Sequence, residues 1–292
     1  MIPQNLLTDI GFSPDEIKSY HHYKSIIGDK IEEYAKNYMN SDDKISDTLE
    51  KVSLLSNDNI HKFTAYLLFI LECTGYLDAI YKENNISSHI FVDTMKDIKY
   101  KLDECRKVYG VFGIFVQNWY EGFLRMTRFA IGRLQFDLRT HMGDSVDILG
   151  HTLKSGDFYL SCHIPSSGPL LPELVEDSFK KAYDMYKDRL SGKMLFVKCE
   201  SYLLYPPYEC VFGTDSNTIS FAKLFYITEA VQQQGFGDCW RIFGEDYKGS
   251  TKGFKSETSL QRRFVSYIDN GGTFGMGVGY ALYDGEKIIT KR

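Results

Sequence analysis

The sequence predicts an α/β (α+β) chain in two parts: a helical N-terminal domain over residues 1–124, packed on a mixed sheet with flanking helices over residues 125–292. Two observations predict it. Glycine and proline are unevenly placed: residues 1–109 hold only Gly11, Gly28, Gly75, Pro3 and Pro14, and the other 21 glycines and five prolines follow. Helix interiors exclude both residues, whereas strands joined by turns need them. The apolar spacing also changes, from i, i+3, i+4 steps early in the chain to short alternating runs interleaved with helical stretches later.

The helical part has readable starts. Ser13-Pro14-Asp15-Glu16 places a cap residue before a proline at the first helical position. Asn57-Asp58-Asn59 precedes Ile60, Phe63, Thr64, Leu67, Leu68 and Leu71, which have helical spacing. Ser87 or Ser88 opens a segment with Ile90, Met95, Ile98 and Leu102, and an aromatic stretch follows over Ile114–Leu124. An amphipathic bundle of four to six helices is expected. In the mixed part, Phe158–Ile164 alternates apolar and polar residues, as a strand with one buried face does. Helical spacing runs from Pro172 to about Arg189, and Met194–Cys199 reads as a strand. Asp215-Ser216-Asn217 caps a short helix, Thr258–Gln261 matches a capping box, Gly271-Gly272 stops that helix, and Thr273–Tyr283 reads as a last strand. Gly275-Met-Gly-Val-Gly279 follows a helix and does not lead from a strand into one. It reads as a strand closely approached by other backbone, not as a phosphate loop.

Composition excludes several classes. The net charge of −5 and the isolated basic stretches Lys252–Lys255 and Gln261–Arg263 argue against a nucleic-acid partner. None of the six cysteines is in C-x-x-C spacing, so no metal site or redox pair is expected, and several lie in apolar runs as small core residues. The chain start shows no basic segment followed by an apolar one. Phe63–Leu71 is about half a bilayer span and reads as a buried helix. These features predict a cytoplasmic protein with no membrane partner. The surplus of 21 Tyr and 20 Phe over 2 Trp either lines a cavity or reflects a general compositional bias.

Phe129-Ala-Ile-Gly-Arg-Leu-Gln-Phe136 resembles the LGRLQFE signature of a bacterial acyltransferase family. That family pairs a helical N-acyltransferase N-terminal domain with a GNAT-like C-terminal domain. Its HIP…GPLTPE, CHSWLLDP, DSNI and TSLQRA segments are similar, in order, to His163–Glu173, Cys199–Pro206, Asp215–Ile219 and Thr258–Arg263. The resemblance runs from about residue 85 to 283 and implies a GNAT-like mixed sheet and acyl transfer. The chain departs from the pattern at Glu200, where the family has His, and at Leu171, where it has Thr.

The resemblance implies a small-molecule acceptor, acyl-CoA as co-substrate and no tightly bound cofactor. Transfer from a thioester needs a base for the acceptor, polarisation of the carbonyl and a proton for the leaving thiolate. His163 ends a strand before a turn and a helix, where active-site groups of α/β folds gather. It is a catalytic candidate, or else it hydrogen-bonds the turn. Glu200 and Tyr202 are candidate base and acid beside it, with Ser201 as a substrate contact, or they are ordinary strand-end residues. If GRLQF is a strand, Arg133, Gln135 and Asp137 share a face. Arg133 and Gln135 then meet the substrate, or Arg133 forms an internal salt bridge with Glu200 or Asp215. Asp215 and Asn217 are a helix cap or substrate ligands. Ser167 and Gly168 stand where GNAT enzymes hold the pyrophosphate, at the start of a helix after a strand. The helix opens with Glu173, Glu176 and Asp177, and no Lys or Arg precedes it in the loop, so weak or undetectable binding of acetyl-CoA is expected. Acyl transfer from a thioester to an amine or hydroxyl is one reading; a non-catalytic small-molecule binding protein on the same scaffold is the alternative.

Overall fold

The computed structural model describes every residue except Met1, Gln4 and Ser191. The reading of the chain start falls partly on Met1 and Gln4, outside the described residues. Contacts divide the chain into two units, Met1–Ala130 and Ile131–Arg292.

The first unit is built of helices: α1 Leu6–Asp9, α2 Pro14–Ile27, α3 Lys30–Met39, α4 Ile45–Ser53, α5 Lys62–Glu83, α6 Ser88–Tyr109 and the single turn α7 Glu121–Leu124. Ser13 and Glu16 cap α2 reciprocally, the Ser13 side chain accepting from Glu16 N while the Glu16 carboxylate accepts from Ser13 N. The start of α5 corrects the sequence expectation. His61 caps it, with Nδ1 accepting from Phe63 N at 3.1 Å, and the Asn57–Asn59 segment forms a tight turn before it. By length and composition α5 could cross a membrane, yet 67% of its most apolar window is buried within the protein. Its buried Glu72 accepts from Tyr20 Oη at 2.6 Å and pairs with Lys24 at 2.7 Å. A paired, buried carboxylate is the mark of a core helix.

Strand β1, Arg128–Ile131, carries the chain across the division. Then follow β2 Leu134–Thr140, β3 Val146–Ile148, β4 His151–Leu153, β5 Phe158–His163, α8 Pro172–Tyr186, β6 Leu195–Ser201, α9 Glu209–Phe212, α10 Asn217–Ala222, β7 Tyr226–Gln233, α11 Cys239–Phe243, α12 Ser259–Asp269 and β8 Phe274–Tyr283. The sheet runs β1-β2-β5-β6-β8-β7, with β5 and β6 parallel and the pairs β2–β5, β6–β8 and β7–β8 antiparallel. A parallel pair needs a crossover, and α8 supplies it. Phe179 of α8 meets Phe136 on one face at 6.2 Å between ring centres. The β3–β4 hairpin covers part of the other face, packing Ile148 and Leu153 against Phe196, Tyr280 and Leu282.

The expected strands at 158–164, 194–199 and 273–283 are present within a residue or two. The capping box at Thr258 forms as expected, with Thr258 Oγ1 accepting from Gln261 N at 3.1 Å. At α10 the cap is Ser216, whose Oγ accepts from Ile219 N at 3.2 Å. The β3–β4 hairpin and β7 were not foreseen. Strand β7, Tyr226-Ile-Thr-Glu-Ala-Val-Gln-Gln233, is an exposed edge and lacks the apolar alternation of a half-buried strand.

The glycine-rich last strand is closely approached, as its sequence suggested. A Cβ on Gly277 would overlap the Leu204 carbonyl, and one on Gly275 would overlap the Tyr205 ring. These glycines let the chain after β6 lie directly on β8. Gly277→Ala is therefore expected to destabilise the second unit by about 3 kcal/mol, because the contact is backbone and cannot swing aside. Gly237→Ala, where the new methyl meets open space, should stay within about 0.5 kcal/mol. Urea unfolding of both variants checks the contrast.

Candidate functional site

The site forms at the carboxyl ends of β5 and β6. In the β2–β5 register Gln135 faces His163, Asp137 faces Ser161 and Arg139 faces Tyr159. Directly paired residues of an antiparallel ladder point to one side, so these polar groups share a face. The β5–β6 ladder pairs Leu160 with Val197, Ser161 with Lys198 and Cys162 with Cys199, while both strands run on to His163 and Ser201. Continuing that register by one residue sets His163 beside Glu200, on the Ser161 and Lys198 side of the sheet. Paired strands lie about 5 Å apart, so the two side chains converge where the ladder ends.

His163 is held by a carboxylate. Its Nε2 lies 3.1 Å from Asp137 Oδ2, and Arg139 Nη2 reaches the same oxygen at 2.9 Å. Asp137 is fully buried, whereas the His163 side chain keeps 24% of its exposure. A buried carboxylate needs partners for its charge. Here the partners fix an imidazole that remains reachable from solvent. The Nε2 contact orients the ring against a charge that favours its protonated form. Glu200 beside it is exposed.

The other candidates are placed as follows. Arg133 lies in the turn between β1 and β2, not in a strand, so only Gln135 and Asp137 share the expected face. Its guanidinium donates to the backbone carbonyls of Pro165 at 3.0 Å, Gly168 at 2.5 Å and Pro169 at 3.0 Å. Its own N–H donates to Ser178 Oγ at 2.7 Å. Arg133 thus clamps the loop that leads from His163 into α8. Five fixed donors in a plane suit three carbonyls better than any other side chain would. Gln135 is buried opposite His163. Ser167 and Gly168 lie in the clamped loop, with Gly168 at φ 108, a region that favours glycine. Leu171 caps α8 without a side-chain hydrogen bond, as the departure at that position implied. Ser201 Oγ accepts from Leu203 N at 3.2 Å and turns the chain at the end of β6. The Tyr202 ring then meets Phe212 and Phe236, each at 6.3 Å between centres, in an aromatic cluster with Tyr205, Tyr208 and Phe264. The structure therefore brings His163, Glu200 and Gln135 to one strand end and engages Tyr202 in packing. Asp215 is exposed at the turn before α10, and Asn217 is its first residue.

Cys162 and Cys199 point to the opposite, core face. Burial pushes the Cys162 thiol well above its ordinary range, with the adjacent Cys199 adding to the shift. A neutral, buried thiol is no covalent acyl carrier.

Two cavities lie at the same end of the sheet, on the α10 side. The larger, about 480 Å³, is lined by Leu203, Leu204, Phe212, Ile219 and Ala222 among others. The smaller, about 310 Å³, is lined by Leu170 and Pro172 at the start of α8, with Lys291. Lys223 and Arg292 line both. Asp137 and these three cations are functional candidates that sequence reasoning did not select. Only pairing between distant segments brings Asp137 to His163 and the cations to these cavities.

A sheet in which a parallel pair sits between antiparallel neighbours, with a helix crossing between the pair, is the GNAT-like α/β arrangement. The chain belongs to the family described as GNAT-like C-terminal domain, whose model matches residues 129–281. The model for the N-acyltransferase N-terminal domain matches residues 1–126. Solved structures share the fold. One is an acyltransferase in complex with decanoyl-CoA and teicoplanin, at 24% identity and TM-score 0.63. Another is an acyltransferase in complex with CoA and 10C-teicoplanin, at 23% identity and TM-score 0.63. Each alignment covers 75% of this chain and 66% of the other, so this chain matches just under two thirds of their length. A search of curated proteins gave no match.

Proposed function

We propose that the protein transfers an acyl group from an acyl-CoA thioester to the amine or hydroxyl of a small-molecule acceptor. The observation that carries this reading is the Asp137–His163 pair at the end of the parallel ladder. The acceptor N–H or O–H gives its proton to the His163 imidazole as its heteroatom attacks the thioester carbonyl. The carbonyl carbon gains a bond to nitrogen or oxygen, the C–S bond breaks, and the thiolate leaves and takes up a proton. Asp137 stabilises the imidazolium that forms and holds the ring in place. Glu200 beside His163 suits the ammonium form of an amine acceptor before it loses its proton. Acyl transfer is direct in this scheme, consistent with the buried, protonated state of Cys162.

Family membership and the ligands of the structural neighbours, decanoyl-CoA, CoA and teicoplanin, support the donor and a small-molecule acceptor. The helical domain, residues 1–124 in the sequence reading, belongs to the same proposal as the N-acyltransferase-type partner of the catalytic half. Five buried free cysteines fit a reducing compartment, the cytoplasm.

The test is acceptor-dependent release of free CoA thiol from decanoyl-CoA, with hydroxylamine as a small amine. The reading expects many turnovers per protein, with the decanoyl group recovered on hydroxylamine nitrogen or oxygen. Thiol release that ignores the acceptor contradicts it.

A further inference from the structure

We propose that the acceptor is an amino acid with a free carboxylate, held with its ammonium at Glu200 and its carboxylate at Lys198 and Ser161. This rests on the acyl-transfer reading above and names the acceptor class for it. The ladder between β5 and β6 sets Ser161 directly beside Lys198. Two residues further along the same strands come His163 and Glu200, on the same face. A strand rises about 3.3 Å per residue, so the two rows are about 7 Å apart. The β3–β4 hairpin covers the neighbouring part of this face, where Tyr159 and Phe196 pack with Ile148 and Leu153. Beyond it Glu200 is exposed, and Ser161, His163 and Lys198 are half-buried.

Charge on this face is only partly matched within the protein. Asp137 pairs with His163 and Arg139. Among the described residues Lys198 and Glu200 pair with no opposite charge, and not with each other. A half-buried ammonium without a partner is costly, and a ligand that supplies one is favoured. The two charges select by exclusion. A simple anion is repelled by Glu200, a simple cation is repelled by Lys198, and a neutral amine leaves Lys198 unpaired. A molecule with an ammonium and a carboxylate a few bonds apart satisfies both. Glu200 is the residue beside His163, so the ligand presents its nitrogen, not its carboxylate, to the imidazole. Bound there, the ammonium releases one proton to solvent and becomes the amine. Its nitrogen bonds to the thioester carbonyl carbon, a second proton passes to His163, the C–S bond breaks, and the thiolate takes up the proton from the imidazolium. The products are an N-acylamino acid and free CoA thiol, with one proton released overall.

Steady-state transfer from decanoyl-CoA by the full chain tests the acceptor class, with glycine and leucine each compared with its amide. In the unmodified protein kcat/KM should be about 10–100-fold higher for each amino acid than for its amide, as expected for one charge-assisted contact. The amine of the amide is the weaker base, so a larger supply of free amine cannot produce that preference. Lys198→Met should abolish the difference by raising KM for the amino acid, and Lys198→Arg, which keeps the charge, should restore it. Thermal midpoints report whether the variants remain folded, and the comparison in the unmodified protein decides if Lys198→Met does not fold. Equal kcat/KM for amino acid and amide, a preference that survives Lys198→Met, or a Lys198→Met variant whose raised KM is for decanoyl-CoA overturns the assignment. Transfer to hydroxylamine then leaves the acyl-transfer reading standing. No transfer to hydroxylamine, amino acid or amide overturns that reading as well.

Discussion

Replacing His163 by glutamine is expected to lower kcat for acyl transfer by about 10²–10⁴-fold and to leave the KM for the acyl donor nearly unchanged. The expectation follows from position. His163 stands at the end of β5 and does not line either cavity beside α10. Loss of the imidazole removes the proton acceptor and nothing that holds the donor. Asp137→Asn should also lower kcat, by less, since the ring remains but its charged form loses its carboxylate. Because Asp137 is fully buried, its variant must be shown to be folded before the rate is interpreted. Steady-state kinetics with circular dichroism separates the two effects. If His163→Gln raises KM and spares kcat, the residue binds substrate and is not the base.

Arg133→Ala is expected to destabilise the second unit by about 3 kcal/mol. The substitution leaves the carbonyls of Pro165, Gly168 and Pro169 without their shared donor and opens space under the loop. For a unit of this size that loss lowers the thermal midpoint by roughly 6–12 °C. Arg133→Lys should recover only part, because one ammonium cannot reach three carbonyls spread across a plane. Differential scanning calorimetry of the three proteins measures it. An unchanged midpoint together with a raised KM would assign Arg133 to the substrate instead of to the loop.

The two substitutions separate what the sequence made legible from what it did not. His163 was readable because a strand of alternating residues followed by proline and glycine marks a strand end, and strand ends of α/β sheets gather reactive groups. Its partner was not selected. Asp137 stood among three polar residues at alternating positions, and only the register of β2 on β5 makes it the one that meets His163. In the sequence, Arg133 suits a substrate contact or a salt bridge with Glu200 or Asp215. Both readings look for a negative group, whereas the guanidinium found backbone carbonyls, which sequence does not display. The sequence places Tyr202 at a strand end as a candidate acid; in the fold the Ser201 cap turns the chain and the Tyr202 ring joins the aromatic cluster.

The fold was more legible than the site, because helix caps and strand alternation are local signals. The cap at Ser13, the capping box at Thr258 and the close approach at Gly275–Gly279 form as their residues suggest. Strand β7 escaped because an exposed edge needs no apolar face. The acids near α8 are legible because they are neighbours in sequence, whereas Lys223, Lys291 and Arg292 line the cavity there only through contacts spanning many residues, as the Lys291–Glu176 pair does.

The most direct test of His163 as the oriented base is the pH dependence of kcat/KM for transfer from decanoyl-CoA to hydroxylamine, in the unmodified protein and in His163→Gln. A base must be unprotonated to act, so the unmodified enzyme should lose rate as pH falls through the ionisation of the base. His163→Gln should lack that acid limb and follow only the ionisation of the acceptor itself. Identical profiles for the two proteins would contradict the account and leave the Asp137–His163 pair a structural contact.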